Sequence, residues 1–176
     1  AGMTILLPYW ILDSQEFFRD IREQRDMVTG VADLPYTIQF ENTPPFVHMI
    51  KNMILWSMGL PLGLAAFIGL IAAIRRLWKK PEDLGNIVIL SFVLPLFYFN
   101  GTFFAKFLRY TLVMIPFFVI FAARWMYHIK SWAGRGWSRT VTGTVIVGTI
   151  LWAGAYQSIY LDPHTRLQAS DWIYEN

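Results

Sequence analysis

The chain alternates between long apolar runs and short blocks of charged residues. The first run, 52–74, holds no charged residue, and a helix of that length spans roughly 34 Å, which is enough to cross the hydrocarbon core of a bilayer. Three further runs have about the 20 residues that a transmembrane helix needs; they are 85–104, 108–127 and 141–160. The pattern predicts an all-α integral membrane protein with about four transmembrane helices.

Three prolines lie inside these predicted spans, at Pro61, Pro95 and Pro116. Proline has no backbone N–H and its ring clashes with the preceding turn, so it kinks a helix when it lies in the interior. We therefore expect three of the four spans to be kinked. Gly59 and Gly63 have the small-xxx-small spacing that lets membrane helices approach closely, and helix packing is the expected use of that spacing.

The segment before the first run has the pattern of an amphipathic helix. Within 14–28, apolar residues such as Phe17 and Ile21 recur at helical spacing among charges. Asp13, followed three residues later by Glu16, is a capping-box arrangement that starts a helix. Since this segment is too charged to insert, we expect a helix lying roughly parallel to the membrane plane at its surface.

The distribution of charge predicts the orientation. The loops 75–83 and 124–139 together carry eight basic residues and two acidic ones, whereas 1–51 carries four basic and seven acidic residues. Lys and Arg flanking a span are retained in the cytoplasm, so these loops are predicted to be cytoplasmic and both termini extracytoplasmic. The predicted organisation is an extracytoplasmic segment 1–51, a transmembrane bundle 52–160 and an extracytoplasmic tail 161–176.

Composition narrows the class of protein. Hydrophobic residues make up 55% of the chain and charged residues only 15%, against about 25% charged residues in soluble proteins. There is no cysteine, which excludes disulfides and thiolate metal sites. His48 and His164 are predicted outside and His128 inside, so no metal site is expected. The net charge of +3 fits membrane topology better than nucleic-acid binding.

The most distinctive stretches of the sequence are 35–40 (PYTIQF), 43–45 (TPP), Lys51, Asn52, Trp56, 59–64 (GLPLGL), 101–110 (GTFFAKFLRY), Pro116, Phe117 and 169–176 (ASDWIYEN). Together they resemble the later membrane half of glycosyltransferase family 39, the lipid-carrier-dependent, protein mannosyltransferase-like membrane proteins with the GT-C fold. The resemblance covers most of the chain.

This resemblance implies a polyprenyl-phosphate-linked sugar as the donor and an active site on the extracytoplasmic face. It also implies that the catalytic carboxylate belongs to an early extracytoplasmic loop, upstream of Ala1, and that the tail leads into a soluble domain downstream of Asn176. The chain is then expected to be a fragment without a catalytic residue of its own, inactive when isolated and dependent on the upstream and downstream parts of its parent protein.

Lys106 and Arg109 are the candidate lipid-phosphate-binding residues. They lie in the turn between the second and third predicted spans, on the outer side, where basic residues are disfavoured. Two cations three residues apart at headgroup level suit a lipid-linked phosphate, Arg as a planar fork and Lys as a point charge. The alternative is snorkelling, in which both side chains reach the headgroups of ordinary phospholipids.

Weaker candidates lie in the extracytoplasmic segment. Gln39 and Thr43 are candidates for contacts to sugar hydroxyls, although hydrogen bonds within turns are their commoner use. Asp33 and Glu41 could exchange protons with a substrate, but loop carboxylates without defined spacing are usually just solvated.

Two other classes of function remain open from sequence. The chain could be a non-catalytic accessory subunit that packs against other membrane proteins and lipids in a respiratory or photosynthetic complex. A transporter half is weaker, because no charged or unwound site near the membrane midplane is evident.

Overall fold

The computed structural model describes residues 9–32, 34–161 and 165–175. Every regular element in these ranges is helical. The α-helices are α1 (Tyr9–Leu12), α2 (Ser14–Thr29), α3 (Val47–Asn52), α4 (Leu60–Lys79), α5 (Leu84–Thr102), α6 (Ile115–Gln157) and α7 (Thr165–Glu175). A π-helix, Met53–Ser57, follows α3, and 3-10 helices occupy Ile38–Phe40, Leu108–Met114 and Ser158–Tyr160.

Three of the described helical stretches are long and apolar enough to cross a membrane: α4, α5 and the stretch that contains α6. The prediction of an all-helical membrane protein is confirmed at this level. The second predicted span, 85–104, corresponds closely to α5, which begins after the charged loop that contains Asp83.

Helix α6 reverses direction at Gly134, where the backbone leaves the helical region with φ 84° and ψ 169°. The hydroxyl of Ser138 donates a hydrogen bond to the carbonyl of Met126 at 3.2 Å. These residues would be about 18 Å apart along a straight helix. The two halves of α6, 115–133 and 135–157, therefore lie side by side and run antiparallel.

Helix α4 packs against both halves of α6. Gly69 lies directly against the backbone of Phe121, and Arg76 reaches His128 seven residues further along both helices, so α4 is parallel to the first half. Gly148 in the second half faces Pro61 near the start of α4. The hydrophobic core follows from this arrangement. Its buried residues include Ala65, Ala66, Leu70, Leu90, Val93, Met114, Phe118, Phe121 and Ala122.

The helices have two ends, which we name by one residue each. The Asp83 end holds the α4–α5 connection and Gly134. The Lys106 end holds the α5–α6 connection, where the backbone N–H of Phe104 donates to the carbonyl of Val28 at 2.9 Å. The described amino-terminal segment thus joins the Lys106 end, on the opposite side from the basic loops.

Two of the three prolines act differently from the prediction. Pro61 and Pro116 lie in the first turns of α4 and α6, where no intrahelical N–H bond is lost, so neither interrupts its helix. Pro95 alone of the three lies inside a helix. The predicted span 52–74 is broken instead at Gly59, with φ 78° and ψ 149°, and its membrane helix is Leu60–Lys79.

The predicted amphipathic helix is present as α2. The carboxylate of Asp13 accepts a hydrogen bond from the backbone N–H of Glu16 at 3.3 Å, as the capping pattern predicted. Gly30 ends the helix in the left-handed conformation, with φ 78°. Phe18 exposes 52% of its surface, so this apolar side chain is not covered by the described residues.

Candidate lipid-phosphate site at the Lys106 end

The segment 103–107 is fixed in place by the amino-terminal segment. The backbone N–H groups of Phe104 and Ala105 both donate to the carbonyl of Val28, at 2.9 and 3.3 Å. Ala105 is fully buried. The backbone at Lys106 is therefore held in place by the hydrogen bonds of the two residues that precede it.

Lys106 holds this segment against the proline-containing stretch 43–46. Its ammonium donates to the hydroxyl of Thr43 at 3.0 Å and to the carbonyl of Phe104 at 3.3 Å. In turn, the Thr43 hydroxyl donates to the carbonyl of Phe40 at 2.6 Å. An ammonium has three donors, so one N–H of Lys106 remains for another acceptor.

Lys106 and Lys51 place positive charge around His48. The pKa of the Lys106 ammonium itself is lowered by burial. Burial first, and then the positive charges of Lys106 and Lys51, lower the pKa of His48. No ion pair to either lysine is found within the described ranges. A local excess of positive charge without a carboxylate partner favours binding of an anion.

Arg109 lines a different and larger cavity. A groove of about 600 Å³ separates α2 from the Lys106 end of the helices, and we call it the Arg109 groove. Its polar lining includes Arg109 and Arg25, and its apolar lining includes Phe103 and Val113. The guanidinium of Arg109 lies over the ring of Phe107, 4.7 Å from its centroid, a cation–π contact that orients the fork.

Lys106 and Arg109 therefore do not line one common cavity. Lys106 lines a crevice of about 10 Å³, next to the Arg109 groove. Asn100 and Tyr110 line both cavities and connect them. The arrangement that the structure adds is a pair of guanidinium groups, Arg25 and Arg109, on opposite walls of an apolar groove.

Sequence reasoning missed Arg25, although a signal was present. Ile21, Gln24, Arg25 and Val28 all line the groove and recur at helical spacing, so they share one face of α2. Arg25 is exposed, as Arg19 is, but it lies on the face of α2 that lines the groove. Arg19, by contrast, is held in an ion pair with Glu16.

The weaker candidates occupy ordinary structural positions. Gln39 is exposed, and its amide donates to the carbonyl of Tyr36 at 2.9 Å within a turn. Thr43 is engaged by Lys106. Glu41 is exposed to solvent, and Asp33 lies outside the described residues, as does His164. Within the described ranges, no three side chains are grouped so that they could hold a metal ion.

A polar cluster at the Asp83 end was not predicted. One carboxylate oxygen of Asp83 accepts from Arg76 at 2.9 Å and from Arg124 at 2.7 Å, joining α4 and the first half of α6 to the start of α5. Hydrogen bonding from Arg76 is the largest cause that lowers the pKa of Asp83. Buried Asn86 completes the cluster by donating to the carbonyl of Ala73 at 2.7 Å.

Each cation of this cluster already has an acidic partner. Arg76 also contacts the imidazole of His128 at 3.2 Å. The carboxylate of Asp83 accepts hydrogen bonds from cations on two helices. The cluster therefore fits a structural role, in which it fixes how the three helices meet.

Compared with protein-family models, with curated proteins and with solved structures, the chain gives no match. The resemblance to glycosyltransferase family 39 remains a prediction from the sequence.

Proposed function

We propose that this chain is the membrane-embedded, lipid-phosphate-binding part of a glycosyltransferase-like protein that takes its sugar from a polyprenyl-phosphate donor. The observation that carries the proposal is the Arg109 groove, in which Arg25 and Arg109 accompany apolar side chains and no carboxylate is found among the described lining residues. A polyprenyl phosphate has the complementary chemistry, an anionic head on an apolar chain.

The two guanidinium groups suit a phosphate better than isolated lysines would. A guanidinium presents a planar set of donors that matches two oxygens of one phosphate, and such charge-assisted bonds are about twice as strong as neutral ones. The apolar walls, including Phe103 and Val113, would face the first isoprene units. Lys106, in the adjoining crevice, keeps the neighbourhood positive.

In this proposal the chain crosses the cell membrane four times, with α4, α5 and the two halves of α6 as the crossings. The Lys106 end and both termini are extracytoplasmic, and the Asp83 end is cytoplasmic. The support is the excess of basic residues in the loops of the Asp83 end, among them Arg75 and Lys80. The phosphate of the donor is then bound at the extracytoplasmic headgroup level.

The proposed role is binding and positioning, without proton transfer. General acid–base catalysis by a carboxylate needs that carboxylate within hydrogen-bond reach of the reacting atom, and the described residues that line the crevice and the groove include no carboxylate. In the resemblance, the catalytic carboxylate comes from another part of the parent protein.

Binding of a polyprenyl phosphate by purified variants tests the proposal. We expect Arg109→Ala and Arg25→Ala each to weaken binding at least tenfold. Arg109→Lys should lose one bidentate bond, on the order of 1.5 to 3 kcal/mol. Arg22→Ala is the matched control, because Arg22 lies on the same helix but does not line the groove. Thermal melting in detergent checks the folding of each variant.

The result can contradict the proposal in two ways. If the Arg25 and Arg109 variants bind polyprenyl phosphate as wild type does, the groove does not bind the donor. Arg109 would then only extend its side chain to the headgroups of ordinary phospholipids. Equal losses for polyprenyl phosphate and for ordinary anionic phospholipid would identify a general headgroup anchor, and an accessory subunit of a larger membrane complex would then be the better assignment.

A further inference from the structure

A second groove lies at the Asp83 end, and its lining combines apolar, aromatic and basic side chains. Its volume is about 950 Å³, and it lies between α4 and the first half of α6. We call it the basic groove. Its size is at the upper end of the range of small-molecule pockets, roughly 300 to 1,000 Å³.

One wall of the basic groove changes from apolar to cationic along its length. Ile68, Ile71, Arg75 and Lys79 line it and recur at helical spacing on one face of α4. The distance along the helix from Ile68 to Lys79 is about 16 Å at 1.5 Å per residue. Isoleucines therefore lie towards the middle of the helix, and cations lie at its end.

The facing wall is aromatic. Trp125 and Trp132 line the groove from the first half of α6, seven residues apart, and Trp132 exposes 73% of its surface. Tryptophan side chains of this kind sit at the level of the lipid headgroups. The cationic end of the groove is thus at the boundary between hydrocarbon and water.

The cations of the groove remain available to an anion. Arg76 is engaged by Asp83. By contrast, Arg75, Lys79 and Lys80 are exposed and form no ion pair with any described residue. Three cations within two helical turns, with an apolar channel leading away from them, match a phosphate that carries an acyl chain.

We propose that the basic groove binds an anionic phospholipid, with its phosphate between Arg75, Lys79 and Lys80 and an acyl chain along Ile71 and Ile68. Basic pockets between membrane helices bind anionic headgroups in this manner. The lipid fills the space between α4 and the first half of α6 at headgroup level. The site is separate from the Arg109 groove, which lies at the other end of the helices.

Native mass spectrometry of the purified chain measures the proposed preference, with phosphatidylglycerol and phosphatidylcholine of identical acyl chains as the probes. We expect wild type to retain phosphatidylglycerol preferentially. The triple variant Arg75→Gln, Lys79→Gln, Lys80→Gln should lose that preference on the order of 100-fold, since each basic residue near a charged headgroup contributes about fivefold. The single variant Lys79→Gln should lose about fivefold.

The matched control removes three cations from the same end without touching the groove. This control is a second triple variant, Lys130→Gln, Arg135→Gln, Arg139→Gln. It carries the same change in charge, and none of its three positions lines the groove. We expect its preference for phosphatidylglycerol to change less than twofold. Equal melting temperatures of wild type and both triple variants in phosphatidylcholine show that folding is intact.

Three results would overturn the proposal. Equal losses in the two triple variants would mean diffuse attraction by all loop charges. An unchanged preference in the groove variants, including Lys79→Gln, would mean that the lipid binds elsewhere. Displacement of the lipid by millimolar glycerol phosphate would show that a free phosphate suffices and that Ile68 and Ile71 do not hold a chain.

Discussion

The indole N–H of Trp152 donates a hydrogen bond to the backbone carbonyl of Leu55, 2.9 Å away. Leu55 lies in the π-helix Met53–Ser57, just before the chain leaves helical geometry at Gly59. Carbonyls near the end of a helix have no partner in the next turn. Trp152, from the second half of α6, thus supplies the Leu55 carbonyl with the donor that the break at Gly59 removes.

We expect Trp152→Phe to destabilise the protein by about 1 to 3 kcal/mol, because a partly buried carbonyl loses its donor while the apolar ring is mostly retained. Thermal melting in detergent measures the change. Trp137→Phe serves as the control, since Trp137 is 66% exposed. Equal shifts for the two variants would show that the Leu55 carbonyl finds another partner.

Gly69→Ala should also destabilise the protein. A Cβ atom at Gly69 would overlap the backbone carbonyl of Phe121, and backbone cannot move aside as a side chain can. Overpacking of this kind typically costs about 1 to 3 kcal/mol. Gly143→Ala is the control, because a Cβ there meets no atom within 4 Å and alanine favours a helix over glycine by up to about 1 kcal/mol. A stabilising Gly69→Ala would contradict the close approach of α4 and α6.

Asp83→Asn should reduce stability at neutral pH, through loss of charge-assisted hydrogen bonds from Arg76 and Arg124. Because Arg76 lowers the pKa of Asp83, the wild-type contribution is present above the usual carboxyl pKa and lost as pH falls through the lowered one. Melting temperatures of wild type and Asp83→Asn should therefore converge in acid. Glu82→Gln, at an exposed neighbouring position, is the matched control, and its melting temperature at neutral pH should stay close to that of wild type.

Cysteine labelling tests the proposed orientation without background, since the chain has no native cysteine. We expect Glu41→Cys to react with an impermeant maleimide from outside intact cells, and Lys79→Cys to react only after the membrane is opened. Labelling of Lys79→Cys in intact cells would show that the orientation is the opposite of the one proposed.

Spin labels test the interfacial placement of α2. We expect a label at Phe18, which is 52% exposed, to be reached by oxygen dissolved in the lipid. A label at Glu23, which is exposed and lies about 140° further round the helix, should be reached by aqueous nickel complexes instead. The same fully aqueous response at both positions would place α2 away from the membrane surface.

Features that follow from local chemistry were predictable from sequence. The start of α2 could be predicted because Asp13 needs only the N–H of Glu16, three residues away. The bounds of α5 could be predicted because a charged block precedes its apolar run. The break at Gly59 was missed, since all of its neighbours are apolar and composition does not report backbone angles.

Features that depend on tertiary contacts were not predictable. The third and fourth predicted spans ended and began well away from Gly134, yet helix continues up to that residue on both sides. Arg25 and Arg109 are far apart in sequence, and they line one groove because of how α2 docks. Periodicity placed Arg25 on a helix but did not show what its face would meet.

In the proposed arrangement of four crossings, Gly134 separates the third crossing from the fourth. Its φ of 84° with ψ of 169° belongs to a region that is essentially restricted to glycine. Without that residue, the 43 residues of α6 would extend as one rod of about 64 Å, twice the thickness of a bilayer core. In the proposed arrangement, such a rod would carry its far end well beyond the membrane instead of returning through it. The turn at Gly134 therefore sets, in that arrangement, the face of the membrane on which α6 ends.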